Sequence, residues 1–132
     1  IQYTQPYPDV ASVLQTLHSN NIAMAVATNK RQVPTIKLIN HFGWKEYFKF
    51  IECSDSEIQM RNKDAMIQDI LIHDDSLYGS LFIDDTVNDG LSANLSQLKF
   101  IKANYGYGRD QDWSKVNIHQ EINHFSEVLE LI

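Results

Sequence analysis

The stretch that decides the fold is Ser80-Leu81-Phe82-Ile83-Asp84-Asp85-Thr86-Val87-Asn88-Asp89. Its apolar run, residues 81–83, is too short for a helix and is typical of a buried strand. Three aspartates follow at the carboxyl end of that strand, which is the edge of a parallel sheet where ligands bind. Because neighbouring carboxylates repel one another unless a cation joins them, the stretch predicts a magnesium site.

A local role for these acids is the alternative. Aspartate is favoured at helix N-caps, where its carboxylate accepts hydrogen bonds from free backbone N–H groups. Asp85 or Asp89 could therefore simply cap the helix that is predicted to start near Val87. The stretch alone does not decide between the two interpretations.

Composition limits the range of functions. The chain has 132 residues, 43% of them apolar, which is enough for one domain with one core. Its net charge of -6 argues against nucleic acid and anionic membranes as partners, but leaves room for a small phosphorylated metabolite. Cys53 is the lone cysteine and no apolar run reaches the length of a membrane helix, so we expect a cytoplasmic protein.

Apolar spacing predicts alternating helices and strands. Such alternation implies an α/β fold, with helices on both faces of a parallel sheet. The predicted helices cover residues 10–19, 31–42, 62–72, 87–98 and 125–131, and the predicted strands cover 22–27, 50–53, 81–83 and 100–103. Strand 22–27 is expected to be buried on both faces, and residues 109–117 are expected to form a polar loop.

Two further polar signals fall beside these elements. Thr28 and Asn29 follow a strand, so the Thr28 hydroxyl and the N–H groups at the next helix start would cradle an anion. Ordinary capping explains them equally well. Lys63 begins a helix, where its charge is unfavourable beside the positive end of the helix dipole unless an anion lies nearby. The alternative for Lys63 is a solvated surface position.

Taken together, these signals resemble the motifs of the haloacid dehalogenase-like superfamily of phosphotransferases. Thr28 matches its second motif, Lys63 its third, and residues 84–89, Asp-Asp-x-x-x-Asp, its fourth. The resemblance covers residues 7–108, and Tyr7-Pro8-Asp9-Val10 and residues 104–108, Asn-Tyr-Gly-Tyr-Gly, look like its phosphoglycolate-phosphatase-like subgroup.

The resemblance implies a fold, an activity and a set of site residues. The fold is a three-layer Rossmann-like core with a parallel sheet, and the activity is magnesium-dependent hydrolysis of a small phosphate monoester through an aspartyl-phosphate. Asp85 and Asp89 would hold Mg²⁺, Thr28 and the Asn29 backbone would bind the phosphoryl oxygens, and Lys63 would offset their charge. Asp84 stands where the family usually has glycine, and we leave it out of the expected ligands.

The first motif of the family, Asp-x-Asp at the end of a central strand, has no match before Thr28. By resemblance, residues 1–132 would be a single core domain that is incomplete at its N-terminus and lacks the first strand, the nucleophile and the cap. Such a chain is expected to be inactive alone. If it is truly this short, folding would require strand rearrangement, a partner segment or dimerisation, because the missing strand leaves backbone groups unpaired.

Three other functions compete with this interpretation. A response-regulator receiver uses similar residues, but its acid pair ends the first strand. Dehalogenases of the same superfamily do not need magnesium, so the paired acids favour phosphoryl chemistry. The third is a non-catalytic remnant or fragment that serves as a binding or interaction module.

Overall fold

The computed structural model describes residues 9–55 and 61–132. Tyr7 and Pro8, which carried part of the resemblance, lie outside the described residues. The helices are α1 (Val10–Ser19), α2 (Gln32–Phe42), α3 (Lys63–His73) and α4 (Val87–Leu95), and the strands are β1 (Ala25–Thr28), β2 (Phe50–Cys53), β3 (Leu81–Asp84), β4 (Lys99–Ala103) and β5 (Gln120–Ile122). Short 3₁₀ helices cover Lys45–Tyr47, Asp75–Leu77 and Phe125–Glu130. None of the helices in these ranges is long and apolar enough to cross a membrane.

The strands form two parallel sheets. Within the described residues, β1 pairs with β2, and β3, β4 and β5 pair in that order. No backbone hydrogen bonds join β1 to β3 in this part of the chain. Because the strands run parallel within each sheet, their carboxyl ends lie together at one edge of that sheet.

Helices cover both faces of the larger sheet. On one face α4 packs against β3 and β4, and it also contacts α3, which packs against β1 and β2. On the other face the buried side chains of Ile101 and Ile122 pack with Val128 of the last 3₁₀ helix in a core cluster. Side chains alternate between faces along each strand, so this arrangement gives the three layers expected of a Rossmann-like α/β core.

Several predicted boundaries were wrong. The strand expected at residues 22–27 starts at Ala25, because Asn21 turns with a left-handed φ of 60° and leaves Ile22 38% exposed. β1 is also not buried on both faces. The helix expected to reach Leu98 ends at Leu95, before Gln97 with its φ of 61°, and the C-terminal helix is of the 3₁₀ type. β5 was missed.

Arg61 fastens α3 to the smaller sheet. Its guanidinium donates to Glu52 Oε2 at 2.6 Å and to the Cys53 carbonyl at 3.2 Å, both on β2, and it pairs with Asp69 on α3. The side chain is only 9% exposed. Lys63, the first residue of α3, lies two residues further along the chain. The Arg61 contacts therefore also restrict the position of Lys63 relative to β2.

The Arg61 contacts predict a loss of stability on substitution. Arg61→Met should lower the free energy of unfolding by roughly 2 kcal/mol, because Glu52 would lose its partner while partly buried. Urea denaturation followed by circular dichroism measures the change. The matched control is Arg109→Met, since Arg109 is 67% exposed and reaches Asp110 only at 3.7 Å; it should change stability by less than about 0.5 kcal/mol. Equal stabilities of the two variants would contradict this role.

Candidate active site

The ammonium group of Lys63 joins the ends of β1 and β3. Lys63 is the first residue of α3, a start fixed by the Asn62 side chain, which accepts from the Ala65 N–H at 2.9 Å. Its side chain is 10% exposed. The Nζ atom lies 3.1 Å from each of three oxygens, namely the Ala27 carbonyl, Asp84 Oδ2 and Asp89 Oδ1. The surface alternative for Lys63 is therefore wrong.

The helix that follows β3 is capped by Thr86, not by an aspartate. The Thr86 hydroxyl oxygen accepts from the Asp89 N–H at 3.3 Å, and the hydroxyl donates to Asp89 Oδ2 at 2.5 Å. Asp85 precedes the cap, and Asp89 directs its other oxygen at Lys63. Neither acid is therefore the N-cap residue, although Asp89 Oδ2 supports the cap by accepting from the Thr86 hydroxyl.

Three carboxylates converge beside Lys63. Asp84, Asp85 and Asp89 each offer an oxygen, and these oxygens lie within 4.8 Å of one another. Mg²⁺ binds carboxylate oxygens at about 2.0–2.1 Å in an octahedron, which puts opposite ligands about 4.2 Å apart. The donor type suits this ion, and a contraction of a few tenths of an ångström would suit its size. Asp85 and Asp89, the two predicted ligands, are both in the group.

Asp84 takes a role that the sequence left undecided. Its Oδ2 contacts Lys63 and its Oδ1 accepts from the Asp85 N–H at 2.9 Å. Burial raises the pKa of this carboxyl from 3.8 to about 7, against the opposing attraction of Lys63 and with added repulsion from Asp89. The carboxyl therefore lies in the site, where it shares Lys63 with Asp89.

Thr28 and Asn29 lie where β1 ends, next to the carbonyl that Lys63 contacts. The Thr28 hydroxyl oxygen accepts from the Lys30 N–H at 3.2 Å, so the local explanation for this residue holds as well. At the start of α2 the Gln32 N–H already donates to the Asp55 carboxylate at 2.6 Å. Asp55 therefore takes one of the N–H donors that we assigned to an anion cradle. Asn29 is exposed.

An open cleft of about 620 Å³ adjoins the acids. Its lining includes Asp84 and Asp85 together with Val10 and Phe125. The turn after β4 closes one side, where the Tyr107 N–H donates to Asp85 Oδ2 at 2.5 Å. A cleft of this size is in the usual range for small-molecule sites.

The pKa of Asp84 predicts how stability depends on pH. A carboxyl whose pKa is higher in the folded than in the unfolded chain stabilises the fold at low pH, and that contribution falls as pH rises toward about 7. In EDTA, the unfolding free energy of the wild type minus that of Asp84→Asn should therefore fall from pH 5 to pH 7 and then level off.

Urea denaturation at each pH tests this, with Asp112→Asn as control. Asp112 is exposed and accepts from the Ser114 N–H, which lowers the pKa of its carboxyl, so its contribution should stay constant over this range. A wild-type to Asp84→Asn difference that is flat, or that grows with pH, would contradict the assignment.

Comparisons of the sequence with a family model and with curated proteins point to the same family. Residues 2–103 match the family model described as haloacid dehalogenase-like hydrolase. Among curated relatives, the phosphoglycolate phosphatase of Agrobacterium fabrum is 29% identical over 79% of this chain and 45% of its own length. That of Pseudomonas fluorescens is 30% identical over 80% of this chain and 39% of its own length. The chain thus spans about half the length of the relatives that it matches.

Solved structures share the fold. A predicted phosphoglycolate phosphatase from Haemophilus somnus superposes with a TM-score of 0.82 at 22% identity, covering 96% of this chain and 57% of that one. A haloacid dehalogenase-like family hydrolase from Streptococcus pneumoniae gives 0.82 at 21% identity, covering 96% and 60%. The predicted α/β Rossmann-like fold and the subgroup resemblance are confirmed. With most of its length matched by the family model, the chain belongs to the haloacid dehalogenase-like hydrolases.

Proposed function

We propose that the chain is the larger part of the core domain of a magnesium-dependent phosphatase, which hydrolyses a small phosphate monoester through an aspartyl-phosphate. The observation that carries this proposal is the position of Lys63 Nζ, 3.1 Å from oxygens at the ends of both β1 and β3. In this proposal the buried ammonium group pairs with the negatively charged phosphoryl group, and the converging carboxylates bind the divalent ion.

Each site residue receives a role in this proposal. Asp85 and Asp89 hold Mg²⁺, which when bound neutralises charge on the phosphoryl oxygens. The Thr28 hydroxyl and the Asn29 backbone N–H bind those oxygens from the end of β1. Lys63 exchanges part of its pairing with Asp84 for the phosphoryl group, so its charge acts where negative charge grows in the transition state.

The nucleophile in this proposal is an aspartate on a strand outside these 132 residues. The site for that strand is the apolar groove of about 140 Å³ between β1 and β3, where both strands present edges to each other. Its lining comes from the two strands and from α3 beneath them, and includes Ala25, Ala27, Ile67, Ile70, Leu81 and Phe82. A parallel strand inserted there would pair both edges and bring its last residue to Lys63.

Substrate class and setting follow from the same proposal. The relatives are named for phosphoglycolate, so 2-phosphoglycolate is the first substrate to assay. The acidic surface makes nucleic acid and anionic membranes poor partners. Cys53, the lone cysteine of the sequence, is buried, and we propose that the protein works in the cytoplasm. In this proposal the chain is one incomplete core domain, and it self-associates only where the groove between β1 and β3 is left open.

Two proteins test the proposal, the 132-residue chain and the longer product read from the gene upstream of Ile1. In Mg²⁺ the longer protein should hydrolyse 2-phosphoglycolate or p-nitrophenyl phosphate and lose that activity with EDTA. The chain alone should not. Hydrolysis by the chain alone would contradict an external nucleophile, and a folded but inactive longer protein would favour the binding-module alternative.

Lys63 should matter more for turnover than for binding. In the active protein Lys63→Met should lower kcat about 100- to 1000-fold, because a charge that acts on the transition state is lost. Lys30→Met is the control, since Lys30 is exposed and two residues beyond Thr28; it should keep kcat within about twofold. Steady-state kinetics and thermal unfolding distinguish a lost catalytic group from a lost fold, and a Lys63→Met variant with wild-type kcat would contradict the role.

A further inference from the structure

The turn after β4 packs directly on the carboxylate of Asp85. We define residues 105–113 as the clamp segment and propose that it holds this carboxylate in one orientation for cation binding. This inference rests on the proposed function, since a fixed orientation is useful only if Asp85 has a ligand. The contact that defines it is the Tyr107 N–H, which donates to Asp85 Oδ2 at 2.5 Å.

Two glycines allow the close approach. A Cβ atom at Gly106 would lie 2.2 Å from Asp85 Cβ and 2.4 Å from Asp85 Oδ2, and one at Gly108 would lie 2.4 Å from the Asp85 carbonyl oxygen. These distances are far below van der Waals contact, so any larger residue would displace Asp85 or the turn. The close approach of the turn to Asp85 therefore explains why positions 106 and 108 are glycines.

The clamp segment has anchors of its own. Gln111 Oε1 accepts from the N–H of Val87, the first residue of α4, at 2.9 Å. Trp113 Nε1 donates to the Gly108 carbonyl at 3.1 Å, and its ring stacks on Phe100 of β4 with centroids 5.8 Å apart. Because these contacts tie the turn to the sheet and to α4 independently of Asp85, the segment orients the carboxylate rather than the reverse.

The side chain of Tyr107 takes no part in this clamp. It is 94% exposed, and only its backbone N–H reaches Asp85. Substituting the ring should leave the clamp intact, whereas adding a methyl group at the preceding glycine should break it. The neighbouring positions 106 and 107 thus provide a test variant and a matched control in the same turn.

Metal affinity and amide exchange test the clamp in the chain itself. Mn²⁺ binding, measured by electron paramagnetic resonance, should weaken at least about tenfold in Gly106→Ala, as expected when a residue that orients a ligand is disturbed. Tyr107→Ala should bind as the wild type does. Trp113→Phe should weaken binding about threefold, because one anchoring hydrogen bond is lost while the ring stack remains. Circular dichroism without metal reports whether each variant folds.

Hydrogen exchange of the Tyr107 amide gives a readout that needs no metal. The amide should be protected in the wild type and in Tyr107→Ala, and should exchange as a free amide in Gly106→Ala and Asp85→Ala. The inference would be overturned if the Tyr107 amide exchanged freely in the wild type. It would also be overturned if Gly106→Ala and Trp113→Phe both folded and bound Mn²⁺ with wild-type affinity. If the wild type binds no Mn²⁺, the proposed function fails, and amide exchange alone decides on the clamp.

Discussion

The position of one buried ammonium group organises this fold. Lys63 Nζ contacts the last carbonyl but one of β1, the Asp84 carboxylate at the end of β3 and the Asp89 carboxylate in the first turn of α4, although β1 and β3 share no hydrogen bonds in the described ranges. A charge that is nine-tenths buried must be compensated, and the compensating groups come from different sheets. The lysine at the start of α3 therefore links the two sheets at the edge where the chemistry would occur.

That constraint explains the unusual acid at position 84. Glycine there would leave Lys63 with Asp89 and a carbonyl, whereas Asp84 adds a second carboxylate at 3.1 Å. Burial raises the pKa of Asp84, since a buried carboxyl favours its neutral form unless it is paired. Three carboxylates nevertheless outnumber the single ammonium of Lys63 at this edge, so a divalent cation would offset a negative charge that the chain itself leaves uncompensated.

Much of the fold could be predicted from the sequence, and the misses have physical causes. The strand ending at Asp84 and the helix starting at Lys63 have continuous or periodic apolar side chains, so their existence and order were clear. β5 has one buried residue, Ile122, in three, and such a strand leaves no apolar pattern to detect. The start of β1 depends on the turn at Asn21, where the backbone rather than side-chain polarity decides. At the site, residues 28, 63, 85 and 89 were predicted from side-chain chemistry, and the structure brings Lys63, Asp85 and Asp89 together. The donor to Asp85 is a backbone N–H, which any residue except proline could supply, so no side chain signals it.

Paramagnetic broadening by Mn²⁺ tests most directly whether one pocket gathers these groups. In a ¹⁵N-labelled sample, substoichiometric Mn²⁺ should broaden amides at residues 27–29, 84–89 and 106–107 most strongly, and the broadening should weaken toward the opposite ends of the strands, at Ala25 and Lys99. Broadening confined to the exposed acids Asp110 and Asp112, with residues 84–89 unaffected, would contradict a divalent-ion site beside Lys63.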